Sequence, residues 1–260
     1  MYRPKSNAVW FNLPGVVAAY QPVACPGGPL LARANVSNDQ RTPGRYAAVP
    51  GVAPTFNPLV GHTFNGSNQY LKTSVIPGSG QDWSLLVAFA NAANNDRYFA
   101  GYINTSSTSR MDVGPRSDAG STWFFSNGTR YTASANSNTA GVLGVAGVGC
   151  YMDGLLAKNM ASGTGGVPLE IFIGARNLDG GANAHCAVSI RAAAVASRTL
   201  LPAEMRLASH QMSYCHVNPD WSAWGRRRRY YYAPSAAAGL AFSPVGSGVV
   251  GSSVVRRIAA

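Results

Sequence analysis

The sequence predicts an all-β protein, an antiparallel β-sandwich with one short C-terminal helix and extended N- and C-terminal arms. The 260 residues include 29 glycines and 16 prolines, a composition that disfavours a helical bundle and favours short strands joined by turns. The hydrophobic fraction of 46% is large enough for a sizeable core, which excludes a wholly disordered chain. Short apolar segments alternate with turn signals, and one segment near the C-terminus has helical spacing.

The strongest strand signal lies at residues 83–90 (WSLLVAFA). Both faces of this segment are apolar, which is typical of a central strand that is covered on both sides. Further strands are predicted at 62–64, 69–73, 98–103, 122–125, 142–152, 170–174 and 187–195. Turn signals separate them, namely NND at 94–96, SNG at 126–128, DG at 153–154 and DGG at 179–181.

Residues 202–212 (PAEMRLASHQM) predict the helix. Pro202 suits the first helical position, and Glu204 lies in the first turn, where a negative charge is favourable. Met205, Ala208 and Met212 recur at i, i+3 and i+7. We expect them to form an apolar stripe that packs on the sandwich.

The chain divides into three regions. Residues 1–60 are rich in proline and glycine, and because proline cannot donate to a sheet ladder we expect an N-terminal arm with edge strands. Residues 61–215 form the β-sandwich. Residues 216–260 form a basic, aromatic, Gly/Ala/Ser/Val-rich C-terminal arm, which holds six of the 21 lysines and arginines but one acidic residue, Asp220.

The four cysteines, Cys25, Cys150, Cys186 and Cys215, lie far apart and form no CxxC spacing, which excludes the common zinc signatures. Three disulfide pairings stay open. The first residues lack the apolar stretch of a secretory signal, so we expect synthesis in the cytoplasm and buried thiols. No apolar run of about 18 residues is present, which excludes a transmembrane span from the sequence.

Five short motifs resemble, in order, those of the laminin-G-like or concanavalin-A-like lectin and glucanase family. They lie at 62–71 (HTFNGSNQYL), 83–87 (WSLLV), 151–154 (YMDG), 171–175 (IFIGA) and 193–204 (AAVASRTLLPAE). The resemblance covers residues 61–211 and implies a laminin-G-like antiparallel jelly roll. The family has a serine before the last helix, and Leu201 stands there instead, which weakens the start of that helix.

The glucanase branch of that family carries a catalytic E-x-D-x-E strand, which this sequence lacks. Its two glutamates, Glu170 and Glu204, lie in different elements of the predicted fold. Because glycoside hydrolysis generally needs two positioned carboxyl groups, we expect no enzymatic activity.

Many family members bind calcium through loop aspartates, and Asp96, Asp112 and Asp118 would be the candidates here. Carboxylate oxygens are ligands that calcium prefers. Aspartates in turns also cap their own backbone, and we expect that role, with no cofactor.

The pattern also resembles laminin-G-type domains of tailed-bacteriophage virion proteins, which often carry an N-P-W…R-R-R sequence after the last helix. Residues 218–229 read NPDWSAWGRRRR, with Asp220 inserted and Gly225 added to that pattern. Arginine and aromatic residues suit protein interfaces, so we expect a docking arm. Its residues would be Trp221, Trp224, Arg226, Arg227, Arg228, Arg229, Tyr230, Tyr231 and Tyr232. Nucleic acid and a solvated basic segment are the alternatives, and no known nucleic-acid module accompanies the arginines.

These observations predict a non-enzymatic virion structural protein, assembled in the host cytoplasm and located in the virion. We expect a homo-oligomeric capsid decoration or cement protein, anchored by its arms to the major capsid protein or other virion proteins, without nucleic-acid or membrane binding. The alternative is a carbohydrate-binding tail or fibre adhesin for host-surface glycans. Its candidate glycan residues are Tyr102, Trp123, Asn127 and Tyr131, although large aromatics in strands usually pack inward.

Overall fold

The computed structural model describes residues 9–37, 45–93, 97–106, 109–114, 124–132, 138–163 and 168–214. Its helical elements are a 3₁₀ turn at Trp10–Asn12, α1 (Gly28–Leu31) and α2 (Pro202–Tyr214). The described strands are β1 (Val16–Tyr20), β2 (Val49–Val52), β3 (Thr55–Asn57), β4 (Gly61–Asn65), β5 (Tyr70–Lys72), β6 (Ser84–Ala90), β7 (Ala100–Ile103), β8 (Arg110–Gly114), β9 (Phe124–Asn127), β10 (Thr129–Thr132), β11 (Gly141–Ala146), β12 (Gly149–Met152), β13 (Leu155–Asn159), β14 (Phe172–Ile173), β15 (Arg176–Leu178), β16 (Gly181–Asn183) and β17 (Ala187–Ala196).

The strands form two sheets, as the sequence predicts. The first sheet runs β13-β12-β11-β6-β17-β4-β3, with β1 also paired to β17. The second runs β10-β9-β8-β7-β14-β5-β2, with β15 paired to β7 and to β16. The pairs are antiparallel except β7 with β15. The predicted β-sandwich is therefore confirmed.

The central strand β6 explains why residues 83–90 are apolar on both faces. It lies between β11 and β17 in the first sheet. Leu85, Val87 and Phe89 point into the core between the sheets, where the Phe89 and Phe99 ring centroids lie 4.4 Å apart. Leu86 and Ala88 point to the outer face. That face is covered by a third layer, because α2 and the N-terminal residues pack on it.

The helix α2 packs as its spacing predicts. Met205, Ala208 and Met212 are buried against the outer face of the first sheet. Glu204 lies at the third helical position, and its Oε2 accepts a hydrogen bond from the Leu201 backbone N–H at 2.8 Å. This contact is the glutamate half of a capping box, which a serine at position 201 would complete. No helix in the described part of the chain is both long and apolar enough to cross a membrane.

The N-terminal region contains the predicted edge strands, β2 and β3, each at the end of its sheet, and residues 9–37 pack against the body. Trp10 and Phe11 are buried in the outer layer, and β1 pairs along β17 from Val16 opposite Ala196. The prolines that suggested an arm flank β1 rather than interrupt it, so its ladder stays intact. Residues 9–37 are therefore part of the folded body, because burial of their apolar side chains holds them there.

The thiols of Cys25, Cys150 and Cys186 are buried, as expected, and Cys215 lies outside the described residues. Burial raises the pKa of both the Cys150 and the Cys186 thiols to about 12. These two cysteines act as small apolar residues of the core between the sheets.

Candidate functional site

A groove of about 520 Å³ lies between the second half of α2 and the outer face of the first sheet. We call it the α2 groove. Ala88 and Phe89 of β6 contribute to its floor, together with Gly141 at the start of β11. Its remaining lining is mostly polar and comes from β17, the β12–β13 turn and α2, with the side chains of Asp153, Arg191, Arg206, Ser209, His210, Ser213 and Tyr214.

A β-bulge in β17 places Arg191 in the α2 groove. Ile190 pairs with Phe89 and Ala192 pairs with Ala88, so Arg191 is the extra residue with no opposite partner in β6. Bulges of this kind re-aim a side chain out of the regular alternation. The Arg191 Nε is buried, and no hydrogen-bond acceptor reaches it within the described residues. Arg191 thus adds a positive charge to the lining of the groove.

The turn between β12 and β13 also lines the α2 groove, through Asp153. Asp153 and Gly154 both have positive φ, 49° and 79°, as a tight Asp-Gly hairpin turn requires. The Asp153 Oδ1 accepts a hydrogen bond from the Val142 N–H at 2.8 Å, and the Asp153 N–H donates to the Val142 carbonyl at 2.8 Å. The carboxylate is thereby fixed to β11 at the edge of the groove.

The same turn touches the helix and sets the width of the groove. A methyl group added to Gly154 would lie 2.7 Å from the Arg206 Cα and 3.1 Å from the Ser209 Cβ. Only a glycine allows the turn and α2 to approach this closely. The distance between the Asp153 carboxylate and the helix is therefore set by direct packing rather than by a flexible loop.

Polar residues recur along the groove side of α2. Arg206, Ser209, His210 and Ser213 follow the i, i+3, i+4, i+7 spacing of one helix face, next to the apolar stripe. One turn beyond His210, the ring of Tyr214 lies with its centroid 5.3 Å from the His210 ring. Both residues are exposed, and Tyr214 retains 63% of its accessible surface. The helix thus presents two neighbouring rings at the rim.

The α2 groove combines three kinds of group that recognise polyhydroxylated ligands. The rings of His210 and Tyr214 offer a surface for the apolar face of a sugar ring. Arg191 and Arg206 are donors with no acceptor capacity, and Asp153 accepts. Among the described lining residues the two arginines outweigh one carboxylate, so the groove is net positive. The arrangement suits a ligand that both stacks and forms several hydrogen bonds.

Two of the residues that the sequence suggested for glycan binding, Tyr102 and Asn127, do not line the α2 groove. Tyr102 and Asn127 are buried, at 4% and 2% exposure, so neither presents a surface to a glycan. The Asn127 Nδ2 lies within 3.2 Å of the carbonyl oxygens of Gln81, Trp83 and Gly147. The amide therefore holds the scaffold together. Trp123 lies outside the described residues, and Tyr131 belongs to β10.

One of the three aspartates that were candidates for calcium binding, Asp112, is described by the structure. Asp112 lies inside β8 with 1% exposure, so it is a strand residue and not a loop ligand. Asp96 and Asp118 lie outside the described residues. In the part of the chain that the structure describes, no three His, Cys, Asp or Glu side chains come together as metal ligands would.

The predicted docking residues, Trp221 to Tyr232, all lie outside the described residues. The α2 groove itself was missed by the sequence analysis. A signal for it was present, because positions 206, 209, 210 and 213 are polar at helical spacing beside the predicted apolar stripe. The bulge that adds Arg191 has no local sequence signature of comparable strength.

Comparison with known proteins identifies structural relatives. No family model and no curated protein matches the chain. A Trypanosoma rangeli sialidase in complex with 2-keto-3-deoxy-D-glycero-D-galacto-2,3-difluoro-nononic acid is similar over 79% of this chain and 34% of that chain, with 17% identity and a TM-score of 0.50. The chain thus spans about a third of that sialidase. At this identity the likeness shows a shared β-sandwich fold.

Two further solved structures are more distant. The NanB sialidase from Streptococcus pneumoniae matches over 55% of this chain and 26% of that chain, with 11% identity and a TM-score of 0.40. Domain 4 of AbnA, a GH43 extracellular arabinanase from Geobacillus stearothermophilus in complex with arabinotriose, matches over 75% of this chain and 98% of that chain, with 12% identity and a TM-score of 0.43. The laminin-G resemblance and the phage association stay predictions.

The comparison corrects the expectation that the chain is not an enzyme. That expectation rested on the missing E-x-D-x-E strand and on the lack of a glutamate pair. A sialidase contains this fold, and sialidases as a class hydrolyse glycosides with a tyrosine nucleophile rather than with two carboxylates. The missing carboxylate pair therefore does not exclude enzymatic activity, and the prediction that the chain is not an enzyme was wrong.

Proposed function

We propose that the chain is a carbohydrate-binding domain that holds a glycan in the α2 groove. The observation that carries the proposal is the exposed ring pair of His210 and Tyr214 in a groove that Arg191, Arg206 and Asp153 also line. A sugar ring placed against Tyr214 would bring its hydroxyl oxygens toward the arginines and its hydroxyl protons toward Asp153. The groove thus matches the mixed apolar and polar surface of a sugar.

The fold is consistent with this role. The chain shares its β-sandwich with part of a Trypanosoma rangeli sialidase, which was determined with a nononic acid derivative bound. The groove is also built on rigid elements, since β6, β17 and α2 are all part of the packed outer layer. A site on helices and strands needs little ordering when a ligand binds.

The test begins with the full chain on an array of neutral and acidic oligosaccharides, followed by calorimetric titration of the best ligands. We expect Tyr214→Ala to raise the Kd about tenfold, since loss of one aromatic stacking surface costs on the order of 1 kcal/mol. Arg191→Gln should weaken binding further, because hydrogen bonds from a charged group contribute about 1.5–3 kcal/mol.

A matched control is Ile76→Ala, because Ile76 is 59% exposed, close to Tyr214 at 63%, and does not line the groove. It should bind like the unmodified protein. The proposal fails if no oligosaccharide binds, or if a bound one keeps its Kd in both the Tyr214 and the Arg191 variants.

A further inference from the structure

An Asn-Gly pair lies where β4 ends and the connection to β5 begins. Asn65 is the last residue of β4, pairs with Ala187 of β17, and is exposed. Gly66 has a φ of 75°, and a methyl group added to it would lie 2.9 Å from the Ala187 backbone nitrogen. The connection therefore requires glycine after Asn65, because a side chain there would be strained and would collide with β17. As a result, no side chain shields the Gly66 nitrogen from the Asn65 amide carbon.

The side-chain oxygen of Asn65 lies among three backbone donors. Its Oδ1 accepts hydrogen bonds from the N–H groups of Ser67 at 2.9 Å, Asn68 at 3.2 Å and Gln69 at 3.4 Å. Its Nδ2 donates to the exposed Asn68 side chain at 3.0 Å. Backbone donors aimed at a carbonyl oxygen stabilise the negative charge that the oxygen gains when a nucleophile attacks its carbon. The Asn65 amide is therefore activated at its carbon, while its nitrogen is held by a single exposed side chain.

A second Asn-Gly pair, Asn127 and Gly128, has the opposite environment. Asn127 is 2% exposed. Its Nδ2, rather than its oxygen, is the atom that is held, by the carbonyl oxygens of Gln81 and Trp83 at 3.2 Å and of Gly147 at 2.9 Å. Loss of this nitrogen would leave carbonyl groups inside the protein without their donor, which is unfavourable. The Gly128 N–H also donates to the Arg110 carbonyl oxygen at 2.8 Å, so the neighbouring backbone nitrogen is engaged as well.

We propose that Asn65 is a site of spontaneous deamidation, which converts it to aspartate and isoaspartate in the folded protein. The Gly66 nitrogen loses its proton to a solvent base and forms a bond to the Asn65 Cγ. The bond between Cγ and Nδ2 then breaks, and the nitrogen takes up a proton from solvent and leaves as ammonia. Water opens the resulting cyclic imide at either of its carbonyl groups. The net reaction consumes one water and releases one ammonia.

The modification changes the charge and the backbone at the end of β4. The aspartate product places a negative charge where three backbone N–H groups converge, an arrangement that favours an anion. The isoaspartate product instead inserts a methylene group into the main chain, next to the last pair of the β4 and β17 ladder. Asn65 does not line the α2 groove, so this inference does not depend on carbohydrate binding.

The test is incubation of the folded full chain in mildly alkaline buffer, followed by tryptic peptide mapping at increasing times. The two Asn-Gly pairs lie on separate tryptic peptides, 46–72 and 117–130. We expect Asn65 to gain the mass difference between an amide and a carboxylic acid, and fragmentation distinguishes it from Asn57 and Asn68 on the same peptide. Its rate should exceed that of Asn127 by about tenfold or more, because the two environments change the barrier in opposite directions. A sample digested at time zero corrects for modification during digestion.

Two controls separate the effect of the fold from that of the sequence. In denaturant, Asn65 and Asn127 should react at similar rates, because glycine follows both and the contacts are lost. Asn65→Gln should abolish the mass gain at position 65, since a glutamine side chain would have to close a larger ring. The proposal fails if Asn65 stays intact in the folded protein while it reacts in denaturant. Equal rates at Asn65 and Asn127 in the folded protein, or the same difference between them in denaturant, would also overturn it.

Discussion

Arg198 and Glu204 form an ion pair at the start of α2, with the Arg198 Nη2 2.6 Å from the Glu204 Oε1. The Arg198 Nε also donates to the Pro14 carbonyl at 2.7 Å, and the Glu204 Oε2 accepts from the Leu201 N–H. One pair of side chains thus connects the end of β17, the N-terminal segment and the first turn of the helix that forms the α2 groove.

Replacing Glu204 by glutamine removes the negative charge but keeps one acceptor for Leu201. We expect the free energy of unfolding to fall by about 1–3 kcal/mol, because Glu204 is buried and breaking a buried charge-assisted contact is expensive. Urea titration measures the change. The chain's other glutamate gives the control: Glu170→Gln should cost less than about 1 kcal/mol, since Glu170 is partly exposed and a glutamine can still accept the hydrogen bond from the Ser74 N–H. Equal losses in both variants would contradict the role of the ion pair.

Asn127 should behave as a scaffold residue and not as a glycan ligand. Asn127→Ala leaves the carbonyls of Gln81, Trp83 and Gly147 without this amide, and we expect a loss of about 2–3 kcal/mol of unfolding free energy. The folded fraction of the variant should bind glycans with an unchanged Kd. A large rise in Kd together with unchanged stability would restore the original glycan hypothesis.

The close packing of Gly154 against α2 should affect both the free energy of unfolding and the affinity for glycans. Gly154→Ala adds a methyl 2.7 Å from the Arg206 Cα at a φ of 79°, so it both strains the turn and pushes the helix. Gly180→Ala is the matched control, with a φ of 91° and nothing within 4 Å of the added methyl. We expect about 1 kcal/mol for Gly180→Ala from strain alone, and clearly more for Gly154→Ala. Only the Gly154 variant should lose glycan affinity.

Substitution of Trp10 tests whether the N-terminal segment is part of the folded body. Its side chain is fully buried, and its backbone N–H donates to the Gln211 Oε1 of α2 at 2.8 Å. Trp10→Ala should lower the unfolding free energy by about 3–5 kcal/mol, as large core truncations do. Leu59→Ala, at 82% exposure, should change it by less than about 0.5 kcal/mol. A Trp10 variant as stable as the Leu59 variant would mean that the segment is a detachable arm after all.

His62 should make the fold less stable in mild acid. Its pKa is about 4 in the folded state and near its usual 6.5 when unfolded, so between these values the unfolded chain binds more protons. The stability contribution is complete above pH 6.5 and decreases as the pH falls toward 4, by about 3 kcal/mol in all. The difference in unfolding free energy between the unmodified protein and His62→Gln should shrink over this range. His185→Gln, at a less buried histidine, should show a smaller pH effect.

The α2 helix shows how far prediction from the sequence reached. Pro202, Glu204 and the spacing of Met205, Ala208 and Met212 predicted its start and its buried face, and the structure confirms both. These signals are local, because helix periodicity and first-turn preferences involve neighbours within a few positions. The two apolar faces of β6 and the Asp153-Gly154 turn were predicted for the same reason.

The candidate site could not be predicted in this way. Arg191 enters the α2 groove because β17 shifts register between Ile190 and Ala192, and that shift depends on how β17 pairs with β6, about a hundred residues earlier in the chain. The same holds for Asn127, whose three carbonyl neighbours come from two distant segments. Some side chains suit a surface as well as a core. Whether such a side chain is buried depends on residues that are distant in sequence, which a local pattern does not contain.

The sequence by itself therefore determined the all-β class, the central strand and the apolar stripe of the last helix, because hydrophobic periodicity acts within one element. Only the tertiary structure decided that residues 9–37 pack against the body and that Tyr102 and Asn127 are buried. It also decided that Arg191 and Tyr214 line the same groove. The physical reason is that burial and register are properties of pairs of elements, and their free energy is gained only when distant segments pack together.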